Sequence, residues 1–200
     1  MNKIIYKTLI ELLLAIVSVT ALHSQALLIL DEKSKMTISG TSTLHDWDLD
    51  VNKIHLTGAG SVENGSLNSI ESLAVVIPVK SLKSHNNSMD KNTYKALKEG
   101  NYPNIKFELI SAEISNGRII GKGRLTITDK SRIIDIESRY TGISSTGIQI
   151  KGEEKINMTD YNIEPPEVLF GSIVTGEDVI VQYDLYIEFK YSSNLVNYEN

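Results

Sequence analysis

Apolar and polar residues alternate along most of the chain from Lys35 onward, and this period of two is typical of β-strands with one buried face. The alternation is unbroken between His45 and Val51, and it is clearest near the C-terminus, over residues 179–190. The apolar row of this last strand consists of Val179, Val181, Tyr183, Leu185, Ile187 and Phe189. Its twelve residues, at about 3.3 Å each, predict a strand of roughly 40 Å. That length is unusual for a sandwich and suits a tilted barrel strand.

Two Asn-Gly pairs predict hairpin turns between strands. Asn and Gly both tolerate the positive φ that tight hairpin turns require, so such pairs separate neighbouring antiparallel strands. The pairs are Asn64-Gly65 and Asn116-Gly117. Each is followed by a run rich in Val, Ile or Leu, which predicts antiparallel pairing across the turn.

One segment, residues 88–100, departs from the alternation and predicts a short helix. Ser88 is its expected N-terminal cap, Gly100 is the expected left-handed residue at its end, and Pro103 prevents continuation. A lone helix near residues 89–99 among many strands predicts an all-β fold. We expect one domain, an antiparallel β-barrel of about eight strands with one short helix.

The N-terminal residues have the layout of a secretory signal. Lys3 and Lys7 give a positive start, and residues 12–22 are almost entirely apolar. Ser24-Gln25-Ala26 then places small residues at the two positions that a signal peptidase reads.

We therefore expect a signal peptide over residues 1–26, a mature barrel domain over residues 27–200, and a periplasmic or secreted location. An uncleaved membrane anchor is the alternative. It would need about 20 consecutive apolar residues, and the polar break at residues 23–25 counts against it. No stable membrane span is expected after signal cleavage.

Composition narrows the classes of partner. The chain is 41% hydrophobic and 22% charged, as globular proteins are, and its net charge of -5 offers no basic surface for nucleic acid. It contains no Cys, which excludes disulfides, thiolate metal sites and the N-terminal cysteine that anchors a lipoprotein.

Three aspartates resemble the start of a calcium loop. Asp46, Asp48 and Asp50 have the right spacing, but Val51 occupies the position that requires Gly, and Thr57 the position of the Glu ligand. Strict alternation places these carboxylates on one solvated strand face instead.

Catalytic motifs are absent from the sequence. There is no nucleophile elbow, no glycine-rich phosphate loop and no histidine pair at metal-ligand spacing. His45 shares a strand face with Trp47, where a hydrogen-bonded histidine at a barrel mouth is favoured over a metal ligand or base. Asp160 and Glu164 lie in a predicted loop, where their spacing has little geometric meaning. We therefore expect no enzyme activity, no metal and no cofactor.

Several segments resemble, in order and spacing, the YceI-like family of polyisoprenoid-binding proteins over residues 34–190. They are SKMTI (34–38), VVIPVKSL (75–82), MDKNTYKAL (89–97), YPNIKF (102–107), GKGRLTI (121–127) and GEDV (176–179). GTSTLHDW (40–47) is similar to a variant in one branch of the family. The resemblance implies an extended lipocalin-like barrel with a long internal tunnel for a polyisoprenoid chain, in an exported protein.

The chain departs from the family pattern at polar positions. Lys33-Ser34 stands where the family has His-Ser, and Met89-Asp90 where it has Arg-Asp. Residues 157–162 replace the late Asn-Arg-x-x-Phe-Gly segment. Since both arginines are missing, the resemblance carries over the barrel but not the family's recognition of a polar head group.

We therefore expect a binding protein that holds an apolar isoprenoid lipid or a quinone in the barrel interior, as a carrier or store. Its tunnel is expected to be lined by Trp47, Leu49, Val75, Ile77, Phe107, Leu109, Val181, Tyr183, Leu185 and Ile187. His45 or Tyr183 is the expected polar contact, and a homodimer is left open.

Two alternatives also stay open. One is a structural or protein-interaction barrel with a filled core, whose outer face or loop 159–172 binds a partner. The other is an enzyme acting on a lipid or sugar.

Overall fold

The computed structural model describes residues 26–63, 66–168 and 171–191. The predicted turn at Asn64-Gly65, the polar tail from residue 192 and all but the last residue of the predicted signal lie outside these ranges. The described strands are β1 (Ala26–Leu30), β2 (Lys35–Ser42), β3 (Trp47–Val51), β4 (His55–Glu63), β5 (Ser66–Pro78), β6 (Leu82–Lys83), β7 (Asn104–Ser115), β8 (Arg118–Ile127), β9 (Lys130–Ser144), β10 (Gly147–Asn157), β11 (Glu167–Val168) and β12 (Ile173–Tyr191). Helix α1 spans Asn87–Ala96, and short 3₁₀ turns span Val79–Ser81 and Met158–Tyr161.

These strands form a closed antiparallel barrel of eight strand positions, which confirms the predicted fold class. Three of these positions are each occupied by two strands that follow one another along the chain and lie end to end in the barrel wall. The pairs are β1 and β2, β3 and β4, and β5 and β6. The other positions are taken by β7, β8, β9, β10 and β12. Strand β12 closes the ring, since it pairs with β10 along one edge and with β1 and β2 along the other.

The alternation of β12 determines which of its side chains enter the barrel. Val179, Leu185, Ile187 and Phe189 are buried, whereas Gln182 between them is exposed. The strand begins earlier than the predicted start at residue 179, because it continues through a bulge between Thr175 and Val179 to a further pair with β2.

Helix α1 is where predicted, but both of its predicted ends are wrong. Asn86, not Ser88, is the N-terminal cap, and its side-chain oxygen accepts hydrogen bonds from the backbone of Ser88 and Met89 at 2.8 and 3.3 Å. The left-handed residue after the helix is Lys98, with φ 51°, rather than Gly100. The cap lies earlier because Asn is as good a cap as Ser, and the sequence alone does not choose between them.

The hairpin between β7 and β8 is as predicted. Asn116 and Gly117 both have positive φ, 51° and 74°, and the strands on either side pair from Ser115 and Arg118 outward. Mirror-image turns of this kind match the twist of antiparallel strands.

Candidate functional site

The barrel encloses a cavity of about 610 Å³. Side chains from β2 to β10, from β12 and from α1 line it, and most of them are apolar. Among the lining residues that the structure describes there is no Lys or Arg, and Glu154 is the single carboxylate. The cavity is therefore an apolar chamber of the size that holds a small organic ligand.

All eleven residues proposed from the sequence line this cavity. They are His45, Trp47, Leu49, Val75, Ile77, Phe107, Leu109, Val181, Tyr183, Leu185 and Ile187. The period-two pattern grouped them into rows, because side chains two apart on a strand share a face, and the family resemblance implied that these rows line a tunnel. That they contact a ligand stays a prediction.

One end of the barrel is filled by side chains that we call the plug: Ala26, Leu28, Val62, Leu67, Ile148 and Phe189. All six are buried and packed in one cluster, and none of them lines the cavity. Leu185 and Ile187 belong to the same cluster and also line the cavity, so they form its floor. The space is thus a blind chamber at this end.

The opposite end of the cavity lies among α1, the β2–β3 loop and the start of β12. The loop is held by hydrogen bonds: Ser42 Oγ donates to the His45 carbonyl at 2.7 Å, and the Thr43 amide donates to the Val174 carbonyl at 3.0 Å. Leu44, at the tip of this loop, lines the cavity and is nonetheless 65% exposed. His45 is also exposed, with Nδ1 2.6 Å from the Asp46 carbonyl oxygen. This rim is the entrance to the chamber.

Aromatic rings on the inner wall lie over glycines of neighbouring strands. A Cβ added to Gly152 would come within 2.3 Å of the Tyr183 hydroxyl, and one added to Gly40 within 2.3 Å of the Trp47 ring. The same holds for Gly123, where an added Cβ would lie 2.1 Å from Phe107. Because each glycine leaves room for a ring against the wall, the rings occupy less of the bore.

Away from the entrance and from α1, three polar side chains interrupt the apolar lining, and we call Ser138, Glu154 and Tyr183 the polar cluster. The hydroxyls of Ser138 and Tyr183 share a hydrogen bond of 2.7 Å, and the Glu137 amide donates to Glu154 Oε1 at 3.2 Å. Burial raises the pKa of the Glu154 carboxyl, and it also raises the pKa of the Tyr183 hydroxyl. A half-buried carboxylate with a raised pKa in a cavity is a candidate functional group.

Sequence reasoning missed Ser138 and Glu154. The alternation along β10 did indicate Glu154. This residue continues the inward row of Ile148, Ile150 and Gly152, and the residues between them are polar or charged and face outward. A single charged residue in an otherwise apolar inward row indicates either a functional site or a charge that hydrogen bonds within the protein stabilise.

Helix α1 is fastened to the barrel through Asp90. This residue is 3% exposed, and its carboxylate accepts hydrogen bonds from the Ser84 amide and hydroxyl, each at 2.8 Å. Lys83 Nζ also lies 3.1 Å from it. Hydrogen bonds hold the pKa of Asp90 below its usual value despite burial. The bond from the Ser84 amide lowers the pKa most, and the bonds from the Ser84 hydroxyl and Lys83 lower it further. The sequence suggested only a favourable helix-dipole position for this residue.

The other carboxylates considered from the sequence lie on the outer surface. Asp46, Asp48 and Asp50 are exposed, in agreement with the predicted solvated face. Asp160 is exposed and pairs with Arg132, with Nη2 3.4 Å from Oδ1. Within the described residues, no group of three or more His, Cys, Asp or Glu could hold a metal ion.

The part of the chain that the structure describes contains no helix long and apolar enough to cross a membrane.

Comparison with known proteins gives a family and a fold. The sequence profile of the YceI-like domain matches residues 32–187. Burkholderia cenocepacia BcnA superposes with a TM-score of 0.66 at 14% identity, covering 79% of this chain and 99% of that one. A polyisoprenoid binding domain from Saccharophagus degradans, implicated in plant cell wall breakdown, gives a TM-score of 0.62 at 16% identity, covering 83% and 98%. The YceI protein of Campylobacter jejuni gives 0.53 at 18% identity, covering 67% and 82%. No curated protein is significantly similar in sequence to this chain.

Proposed function

The chain belongs to the YceI-like family, and from this premise we propose that it is an exported binding protein that holds an isoprenoid lipid or a quinone in the barrel cavity. The cavity itself is the observation that supports the proposal most strongly: about 610 Å³ of space, apolar on nearly every side and closed at one end. The similarity to a domain described as polyisoprenoid binding supports the class of ligand.

Burial of an apolar chain is sufficient to drive such binding. Each CH₂ group transferred from water to an apolar environment contributes about 0.8 kcal/mol, so a five-carbon isoprene unit contributes roughly 4 kcal/mol. Two or three buried units offset the lower part of the range of association costs, which begins at about 4 kcal/mol. No directional contact is needed for affinity, and polar groups are needed only to orient the ligand.

The alternative of an interaction barrel requires a filled interior, and the cavity argues against it. Native cores are close-packed and contain few voids larger than a water molecule. A chamber of about 610 Å³ far exceeds such a void. An enzyme acting on a lipid or sugar is supported by no arrangement of the described residues, and we propose none.

Export forms part of the proposal and rests on the signal layout of residues 1–26. We expect the mature protein, recovered from the extracytoplasmic fraction, to begin near Ala26 or Leu27. N-terminal sequencing decides this. Recovery of protein that begins at Met1 would overturn cleavage.

Native mass spectrometry tests the binding function. We expect protein purified from its own host without detergent to carry an additional mass that organic extraction removes, and the extract to contain an isoprenoid lipid or quinone. Protein that is always ligand-free, and that takes up no added isoprenoid, would overturn the proposal.

A further inference from the structure

We propose that Ser138, Glu154 and Tyr183 form a head-group site inside the cavity for a neutral, hydroxyl-bearing group at the end of an apolar chain, and that this site rejects phosphorylated head groups. The inference rests on the proposed function, since it concerns the ligand of the same cavity. It names the chemical class of that ligand.

The strand register brings the three residues together. Gly152 of β10 pairs with Ser138 of β9 on one side and with Tyr183 of β12 on the other. Because Gly152 has no side chain, the Tyr183 ring crosses over it, and the two hydroxyls meet at 2.7 Å. Glu154 lies two residues further along β10 on the same inward face. The polar cluster is therefore a built feature of three adjacent strands.

The cluster has hydrogen-bonding capacity beyond the bonds within the protein. Two hydroxyl groups carry two hydrogens, and the bond between Ser138 and Tyr183 uses one of them. A carboxylate can accept about four hydrogen bonds, and the described structure gives Glu154 one, from the Glu137 amide to Oε1. A ligand hydroxyl can thus donate to Glu154 and accept from the hydroxyl pair at once.

The charges around the cluster exclude an anionic head group. No Lys or Arg is found among the described residues that line the cavity. The neighbouring charges that act on Glu154 belong to Glu137, Asp135 and Glu153, and all three are acidic. A phosphate carries a charge of about -1.5 to -2 at neutral pH, and burying it here would leave it unpaired beside another anion.

The depth of the cluster adds to this selection. Thr175 of the rim pairs with Ser42 and Tyr183 pairs with Met36, so the two lie six residues apart along β2, which is roughly 20 Å at about 3.3 Å per residue. A head group that binds there loses much of its contact with water, which a hydroxyl with two partners tolerates better than a phosphate does.

The fold does not need the charge of Glu154. A glutamine would accept the same bond from the Glu137 amide, without the desolvation that burial of a carboxyl imposes. A group that is costly for folding and faces a cavity is explained by binding.

The test compares two probes with the same chain, geranylgeraniol and geranylgeranyl diphosphate, on the mature protein after delipidation. Trp47 is the only tryptophan of the chain and lines the cavity, so its fluorescence reports occupancy directly. We expect the alcohol to bind at least tenfold more tightly than the diphosphate.

Two substitutions then assign the preference to the cluster. Glu154→Gln should weaken binding of the alcohol about tenfold and reduce its advantage over the diphosphate. The matched control is Glu188→Gln, which removes an exposed carboxylate from the outer face of β12, the strand of Tyr183, and should change neither affinity. Tyr183→Phe, which keeps the ring and removes the hydroxyl, should weaken the alcohol selectively. Thermal unfolding verifies that each variant is folded.

The outcomes separate the two proposals. Equal affinity for both probes, tighter binding of the diphosphate, or identical behaviour of Glu154→Gln and Glu188→Gln would overturn the head-group site and leave the binding function standing. Binding of neither probe by the wild-type protein would overturn the binding function itself.

Discussion

At the scale of single residues, the inner wall depends on pairs of one glycine and one aromatic ring. The pair of Gly152 and Tyr183 is the most consequential, because the ring that crosses this glycine also carries a hydroxyl of the polar cluster. The ring position therefore determines both the width of the bore and the presence of the head-group site.

We predict that Gly152→Ala displaces the Tyr183 ring, since the added Cβ would lie 2.3 Å from its hydroxyl oxygen. The ring must turn into the bore, so the hydrogen bond to Ser138 breaks and binding of an isoprenoid alcohol weakens. Overpacking of this kind costs about 1–3 kcal/mol of stability. Urea denaturation together with a binding titration measures both effects.

Gly100→Ala is the matched control for this variant. A Cβ at Gly100 would meet nothing within 4 Å, and its φ is not in the left-handed region. Its effect should stay within about 0.5 kcal/mol. If Gly152→Ala changed neither the free energy of unfolding nor the binding affinity more than Gly100→Ala does, the role assigned to the Tyr183 ring would be wrong.

At the residue level, the sequence identified rows of apolar residues together with His45 and Tyr183, but it gave no role to Ser138 or Glu154. Every predicted lining residue faces the cavity, because strand periodicity alone decides the face. The role of Glu154 could not be predicted in the same way. Its partner, the Glu137 amide, depends on how β9 and β10 are paired, which is a property of the folded barrel.

At the scale of elements, α1 depends on one buried carboxylate. Asp90 joins the first turn of the helix to the end of β6 through its bonds to Lys83, the last residue of that strand, and to Ser84, the residue after it. The helix also lines the cavity through Met89 and Ala96, so loosening it would open that side of the chamber.

We predict that the contribution of Asp90 to stability depends on pH in a defined direction. Its pKa is lower in the folded protein than in the unfolded chain, where it is about 3.9. The stabilisation is therefore fully present above about pH 4, and it is lost as the pH falls through the folded-state value. Asp90→Asn should cost about 1–3 kcal/mol at pH 7, because it removes hydrogen bonds to a charged acceptor.

Urea denaturation of both proteins from pH 7 down to pH 3 checks this. The difference in free energy of unfolding between wild type and Asp90→Asn should shrink below about pH 4. The exposed Asp46 provides a control for the loss of a carboxylate, since Asp46→Asn should change the free energy of unfolding at pH 7 by less than about 0.5 kcal/mol. A difference that stays constant over the whole pH range would contradict the assigned role.

The ends of α1 show the limit of prediction at this scale. Ser88 and Asn86 are both good caps, and the choice of Asn86 depends on the loop that Ser84 and Asp90 hold in place. That loop is a tertiary feature. The position of the helix, in contrast, was fixed by the break in alternation and by Pro103, which are local.

At the scale of the whole molecule, the barrel combines a solid end and a hollow end. The plug fills one end with close-packed apolar side chains, and the chamber occupies the rest of the interior. Alternation predicts that side chains enter a barrel, but whether they fill it depends on the diameter, the tilt and the sizes of facing residues. The sequence therefore predicted a barrel and its lining, while the choice between core and cavity had to come from the structure.

The central claim is that the chamber is a binding site, and Leu185 at its floor tests it most directly. The measurement is binding of a fluorescent isoprenoid analogue to delipidated protein, beside chemical denaturation of the same samples. We expect the wild type to bind, and Leu185→Trp to lose binding at little cost to the stability of the empty protein, because the cavity has room for the larger ring. Gln182→Trp, on the exposed face of the same strand, should bind as the wild type does. Absence of binding by the wild type, together with destabilisation by about 1–3 kcal/mol or more in Leu185→Trp, would contradict the claim and indicate a filled core.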